Sequence, residues 1–359
     1  MTVTLGDIAA RLGVSAATVS RALNGRGGVS PELQDEIQRT ADEAGYVTPA
    51  ARRSVPAEQT TTAPIIGVIV PELENPVFPA FASVMTTMLV EQGFLPMLCS
   101  QSVPGVSEDT WLSLLASHGA KGVIVVSGMH ADTHTDTARY DRLRDAGMAL
   151  VLVNGQRPDL NAAFISVDDA AAVNIAVDHL VSLGHRRIGL ALGPERYTPV
   201  IRKASGFARA LARHAGAIDP EPLVTHSLFS LEGGVVSADE LLDRGATAIV
   251  CASDMMALGA IRAAHARGLE VPRDLSVVGF DDSHFSAHVD PALTTVRQPI
   301  RTMATTAVRA LLEELRNGVQ AGGELLFAPE LVVRGSTSAP ARTPRTPDQK
   351  EGLFIAGAH

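Results

Sequence analysis

The 359-residue sequence predicts an α/β protein with an all-helical N-terminal head and a body of two lobes, each built on a doubly wound parallel sheet. Three observations carry this reading. The first fifty residues hold three short helical stretches with their own start and stop signals. From Ile65 onward, apolar runs of strand length alternate with segments of helix length. That alternation runs through twice in succession, which points to two lobes.

In the head, Thr4 followed three residues later by Asp7 has the form of a capping box. Leu5, Ile8, Ala9 and Leu12 then recur at helical spacing until Gly13 ends the pattern. Ser15 is a second N-cap and opens a helix that ends at Asn24-Gly25, with Val19 and Leu23 one turn apart on its inward side. Ser30 before Pro31 sets a cap ahead of proline at the first helical position, and Leu33, Ile37 and Ala44 continue an apolar face to Gly45. Two short helices joined by a tight Gly-Val turn have the helix-turn-helix layout, whose second helix enters the major groove. With Val19 and Leu23 inward, Ala16, Ala17, Ser20 and Arg21 point outward. Arg21 is then the one long side chain able to pair with guanine O6 and N7. A plain three-helix cap would show the same periodicity.

After Tyr46 the stretch VTPAARRSVPAEQTTTAP has no apolar periodicity and reads as a linker over 48–62. The body follows. IIGVIV, GFLPMLC, GVIVV and ALVLVN form a first series of strands, and FISVD, RIGLAL, TAIVCAS and LSVVGF a second. The expected divisions are a head over 1–47 and a body over 63–338, with a disordered tail over 339–359. One lobe covers about 63–158 and 293–322, and the other about 162–290.

The formal charge of −9 argues against nucleic-acid binding only if it is evenly spread. It is not: within residues 1–30, Arg11, Arg21 and Arg26 face Asp7 alone, and Arg52 and Arg53 follow. Cys99 and Cys251 each end an apolar run far apart in sequence, the pattern of buried thiols in a reducing compartment. The N-terminal segment, with Asp7 and no continuous apolar core, is neither a signal peptide nor a membrane span. A cytoplasmic location is expected.

Ligands of open α/β sheets bind beyond the carboxyl ends of the strands. The loops there carry Glu72, Asn75, Pro76 and Phe78, then Asn154, Ser253-Asp254 and Asp281-Asp282. Carboxylates, amides and aromatic faces suit a polar ligand such as a sugar or a nucleoside. Asn and Asp at strand ends also serve as turn formers and helix caps, and Asp254 before MMALGAIRAA fits that role equally.

The run VTLGDIAARLGVSAATVSRALNGRGGVSPELQDEIQRTADEAGYV resembles the DNA-binding head of the lactose repressor/galactose repressor (LacI/GalR) family in order, spacing and residue type. PELENPVF, GHRRIGLALGP, SDMMALGAIRAAHARGLEVPRDLSVVGFDD, DPALTTVRQP and LVVRGST extend the resemblance through the body. It implies a periplasmic-binding-protein-like body that holds the effector and dimerises. It implies base reading by Ala16, Ala17 and Arg21, and phosphate contacts from Thr4, Ser15, Thr18, Ser20 and Asn24. It further implies effector contacts at Phe78, Asn154, Lys203, Phe229, Ser253, Asp254 and Asp281. The expected partners are double-stranded operator DNA, a small sugar-like effector and a second copy of the chain, with no cofactor and no membrane.

The sequence departs from the family at two places. Val55 stands where a leucine usually wedges into the minor groove, and Pro56 beside it disfavours a hinge helix. Lys203 stands where an arginine is usual, and lysine offers a point charge without a bidentate fork. The tail carries no leucine heptad of the kind that builds the family's tetramers, so a dimer is expected.

His130-Ala-Asp-Thr-His134-Thr-Asp136 has metal-ligand residue types but no helix to align them, and reads as a polar surface loop. Asp168-Asp169 and Asp281-Asp282 are adjacent pairs, which strand geometry turns to opposite faces. No nucleophile elbow, P-loop or dinucleotide fingerprint is present, so no catalytic role is expected. A transporter's solute-binding protein would share the two lobes, but would carry a signal peptide and lack the head.

Overall fold

The computed structural model describes residues 4–23, 29–43, 63–101, 105–219, 221–318 and 322–341. Asn24, Val55, the hinge over 48–62 and the tail beyond Ala341 lie outside the described residues. The chain divides into two units, Met1–Ala63 and Pro64–His359.

The first unit contains α1 (Leu5–Leu12), α2 (Ala16–Leu23) and α3 (Pro31–Glu43). The capping box forms: Thr4 Oγ1 accepts from the Asp7 amide, and Asp7 Oδ2 accepts from the Thr4 amide at 2.8 Å. Gly13 closes α1 at φ +66°, a left-handed turn that suits glycine. Ser15 Oγ caps α2 by accepting from the Thr18 amide at 3.1 Å. The three helices close on Ile8, Ala9, Val19, Ala22, Ile37 and Ala41. Ala22 is therefore the buried partner of Val19, and Leu23 is only half-buried against the cluster.

The body begins with β1 (Ile65–Val70), α4 (Val77–Glu91), β2 (Leu95–Ser100), α5 (Glu108–Ser117), β3 (Gly122–Val126), α6 (Ala138–Asp145), β4 (Ala149–Val153) and β5 (Ala163–Val167). It continues with α7 (Asp169–Ser182), β6 (Ile188–Leu192), α8 (Thr198–Arg213), β7 (Leu223–His226), α9 (Leu231–Asp243), β8 (Ala248–Cys251), α10 (Asp254–Ala266) and β9 (Ser276–Asp281). β10 (Thr294–Arg297), α11 (Ile300–Asn317), β11 (Gly323–Phe327) and β12 (Glu330–Val332) complete it.

One six-stranded sheet has the order β11-β5-β4-β3-β1-β2 and the other β12-β10-β9-β8-β6-β7. Every pairing is parallel except β10 with β12, so the second sheet carries one antiparallel edge. Strands buried on both faces read as continuous apolar runs instead of alternating ones. In β1 and β3, Ile66, Val68, Val70, Ile124 and Val126 join the main core. Ile69, Val123 and Val125 face the opposite layer with Leu112, Leu115 and Tyr140 of α5 and α6.

The lobe boundaries differ from the expected ones. β5, the FISVD run expected in the second lobe, pairs with β4 and belongs to the first sheet. β10 pairs with β9 in the second sheet, although 293–322 was expected in the first lobe. The chain therefore passes between sheets after β5, after β10 and again between β11 and β12. Apolar content could not assign β5 to a sheet, because a strand covered on both faces looks the same in either one. The polar 336–338 segment is stitched into the second lobe: Ser336 Oγ donates to the Val277 carbonyl at 2.6 Å and accepts from the Thr294 amide at 2.8 Å. Cys99 and Cys251 are free and buried.

Candidate functional site

In the head, Ser15, Ala16, Ala17 and Arg21 are exposed on one side of α2 while Val19 and Ala22 are buried. Thr18 and Ser20 are half-buried. Arg21 Nε donates to the Ala17 carbonyl at 3.3 Å, so the guanidinium lies along the exposed face of the helix. Thr4 and Ser15 use their hydroxyls as caps, and Thr18 Oγ1 lies 2.8 Å from Ser15 Oγ.

The body holds a cavity of about 290 Å³ lined from both lobes, at the carboxyl ends of their strands. Phe78, Ser127 and Asn154 come from the first lobe, and Lys203, Phe229, Ser253 and Asp281 from the second. Six of the seven expected effector residues meet there. The seventh, Asp254, is not in the cavity wall. It is fully buried, and its carboxylate accepts from Ser283 N at 2.6 Å, Ser286 Oγ at 2.8 Å and Thr295 Oγ1 at 2.6 Å. Asp254 thus ties the start of α10 to β10 and the 283–286 loop, and Ser253 is the residue that caps α10, accepting from the Met256 amide at 3.2 Å.

One wall is aromatic. Tyr197 and Phe229 lie with ring centroids 6.3 Å apart, and Phe229 packs so closely on Gly193 that a Cβ there would fall 2.2 Å from the ring. Such faces stack on apolar ring surfaces. The rest of the lining includes a polar, strained set. Ser127 (φ +46°), Asn154 (φ +63°) and Asp281 (φ +109°) all hold left-handed backbone, which non-glycine residues adopt at a cost of order 1–3 kcal/mol each.

Asn154 Nδ2 donates to Ser127 Oγ at 3.1 Å, which leaves Asn154 Oδ1 buried with no partner. Gln298 Nε2 donates to Asp281 Oδ1 at 2.5 Å, and Gln298 Oε1 is likewise unpartnered. Both oxygens belong to residues that line the cavity. Burial and the neighbouring Asp254 carboxylate push Asp281 well above the usual carboxylate range. Burial also raises Glu72 at the cavity edge.

The lysine in place of the family's arginine is accounted for. Lys203 is buried, its ammonium paired with Asp169 and lying 3.9 Å from the Phe280 ring centroid. The adjacent Arg202 makes a bidentate pair with Glu324 of β11 at 2.7 and 2.9 Å. Asp168 caps α7 through the Ala171 amide at 2.9 Å, so the Asp168-Asp169 pair divides into a cap and a buried counter-ion. Asn75 and Pro76 serve the turn into α4, with Asn75 Oδ1 accepting from the Val77 amide at 3.4 Å. His130 is buried and His134 exposed, and no metal-binding cluster occurs among the described residues.

Arg196, Tyr197 and Gln298 line the cavity without having been singled out in the sequence, and so does Asp169, which was considered only as half of an adjacent carboxylate pair. Each follows a strand, so the same rule that selected Asn154 and Asp281 reaches them.

A helix-turn-helix unit joined to a two-lobed body with a polar and aromatic cavity in its cleft defines a DNA-binding regulator that senses a small molecule. Residues 4–49 match the model of the lacI family of bacterial regulatory proteins, and residues 177–337 that of the periplasmic binding protein-like domain. The HTH-type transcriptional regulator reg1 of Streptomyces lividans is 51% identical over 351 residues, covering 96% of this chain and 100% of the relative. Among solved structures, the transcriptional regulator CelR–cellobiose complex is 28% identical with a TM-score of 0.68, over 93% of this chain and 99% of that one. The lac repressor dimer bound to operator and the anti-inducer ONPF is 26% identical with a TM-score of 0.65, over 94% and 100%. The chain belongs to the LacI family of transcriptional regulators. Its relatives and fold neighbours are regulators, not enzymes. Among the described residues, no helix is long and apolar enough to cross a membrane.

Proposed function

We propose that this regulator is a cytoplasmic, dimeric repressor whose hold on operator DNA is set by a neutral polyhydroxylated effector of the sugar class bound in the cleft. The observation that carries the ligand class is the pair of unpartnered acceptors, Asn154 Oδ1 and Gln298 Oε1, beside the Tyr197–Phe229 wall. A buried acceptor without a donor costs about 1–3 kcal/mol, so a ligand that brings hydroxyl donors recovers that cost. An apolar sugar face would stack on the aromatic wall.

The charges in the wall disfavour an anion. Lys203 is neutralised by Asp169 and Arg196 by Asp132, and the other lining carboxyls, Glu72 and Asp281, offer no positive charge. A sugar phosphate would meet no unspent cation among the described lining residues. The cellobiose and ribose held by structural neighbours agree with a neutral ligand. In this reading Phe78, Asn154, Lys203, Phe229, Ser253 and Asp281 form the effector site, and Asp254 supports it from behind.

On DNA, Ala16, Ala17 and Arg21 read bases, while Thr4, Ser15, Thr18, Ser20 and Asn24 position the head on phosphates and Val55 serves as a small minor-groove wedge. The likeness to the operator-bound lac repressor dimer supports the dimer. The test is a thermal-shift series with cellobiose, ribose, adenosine and ribose 5-phosphate, followed by operator binding with and without the compound that stabilises. Stabilisation by a neutral sugar that also changes operator affinity is the expected result. Stabilisation by the phosphate or nucleoside alone would overturn the ligand class. Coupling of about 1–3 kcal/mol between the sites is expected, and it must be reciprocal.

A further inference from the structure

The two lobes touch across the cleft at a small polar contact outside the expected effector set. Asp132, which follows β3 in the first lobe, is buried and accepts from Arg196 Nε at 2.6 Å. Arg196 follows β6 in the second lobe. Next to this ion pair, the Arg196 carbonyl accepts from both the Thr133 amide at 2.9 Å and Thr133 Oγ1 at 2.8 Å. Asp132 and Tyr197 pair as an isolated antiparallel bridge, so main chain meets main chain across the cleft.

Both sides of the contact are braced from within their own lobes. The Asp132 carbonyl accepts from Arg157 at 3.0 Å, and Arg157 is held by Asp159 at 2.8 and 3.0 Å. Asp132 Oδ1 accepts from the His134 amide at 3.0 Å. On the other side, the Arg196 guanidinium lies 4.9 Å from the Tyr197 ring centroid and donates to Tyr197 Oη at 3.3 Å. Tyr197 is a wall of the cavity.

We propose that Asp132, Thr133 and Arg196 form a clasp that holds the cleft shut and seats Tyr197 against whatever occupies the cavity. Arg196 is a positioning residue here, acting on the ligand through Tyr197. The Arg196 side chain is 44% exposed, so water competes for it and the pair biases the equilibrium between closed and open forms without locking it. A lobe that must open to admit a ligand requires that kind of contact. A cleft populated mostly in the closed form binds with an affinity scaled by that population, so weakening the clasp loosens ligand binding with every residue of the polar, strained set left intact. That last step rests on the cavity being the effector site; the clasp itself does not.

Amide hydrogen exchange on the full-length protein, without ligand, tests the clasp directly, because the Thr133 amide is bonded only across the cleft. Its exchange should be slow in the wild type and about fivefold faster or more in Arg196→Gln and in Asp132→Asn. The Val125 and Val250 amides, one in each sheet, should stay equally protected in all three proteins and so report that both lobes remain folded. Combining the two substitutions should add little to either one, since both break the same pair. A Thr133 amide that exchanges freely in the wild type, or one equally slow in both variants, overturns the clasp. The sugar series above is read separately, so a cavity that binds no sugar leaves the exchange result standing.

Discussion

His130 Nε2 lies 2.7 Å from the backbone carbonyl of Asn154, and this contact joins a buried ring to the polar lining of the cavity. With Nε2 donating there and toward Val153 at 3.3 Å, the ring is held as one neutral tautomer. The His130 amide in turn donates to Tyr140 Oη at 2.9 Å, and Tyr140 donates to Glu108 at 2.5 Å. The left-handed backbone of Asn154, and with it the direction of its free Oδ1, is thus supported from two layers behind the cavity.

Acid should unfold this protein partly through His130. Burial lowers its pKa from 6.5 to about 4, so the ring is neutral when folded and charged when unfolded across that interval. The associated stability is fully present above pH 6.5 and is lost as pH falls toward 4, by roughly 3 kcal/mol at about 1.36 kcal/mol per pH unit. Urea melts of wild type and His130→Gln between pH 7.5 and 4.5 check this. The variant should lack that part of the acid slope; an identical slope would assign the acid sensitivity to other groups.

Asp281 should act with the opposite sign. Its carboxyl is raised in the folded protein, so its contribution is fully present below the unfolded value near 3.8 and is lost as pH rises through the folded value. Asp281→Asn should therefore gain stability over wild type as pH increases. Asp281→Ala should fold but lose stabilisation by the effector, as read by thermal shift. A retained ligand response in that variant would move the pocket elsewhere.

Asp254 should behave as a structural residue. Asp254→Ala leaves Ser283 N, Ser286 Oγ and Thr295 Oγ1 without their acceptor in a buried site, at a cost of about 2–4 kcal/mol. Thermal unfolding should show that loss without added ligand. A variant as stable as wild type but blind to the effector would restore Asp254 to the binding set.

Arg21→Ala should leave the head folded, because the side chain is exposed and Val19 and Ala22 carry the packing. It should cost about 1–3 kcal/mol at the operator and relax preference at one base per half-site. Binding-site selection with the wild type and the variant reads this out. An unchanged base preference removes Arg21 from recognition.

Much of this molecule was legible in the sequence because local rules act there without opposition. Thr4 and Asp7, Gly13 and Ser15 mark the helix ends of the head through hydrogen bonds spanning three or four residues. The strands of the body announce themselves because parallel strands are apolar on both faces. The rule that strand carboxyl ends carry the site reached Phe78, Asn154, Ser253 and Asp281, and the family resemblance added Lys203 and Phe229; all six line one cavity.

Tertiary structure decided what depends on partners far apart along the chain. Whether β5 belongs to the first or the second sheet is set by its pairing with β4 and β11, and its own residues fit either sheet. Asp254 and Asp281 both stand at the carboxyl ends of strands, Asp254 just beyond β8 and Asp281 as the last residue of β9. Only the arrival of Ser283, Ser286 and Thr295 around Asp254, and of Gln298 against Asp281, makes one a buried tie and the other a cavity wall. Lys203 reads as a free cation until Asp169, 34 residues earlier, is brought against it. A side chain's charge and shape are written in its own residue, but whether they are spent inside the protein or left for a ligand depends on which neighbours the fold delivers.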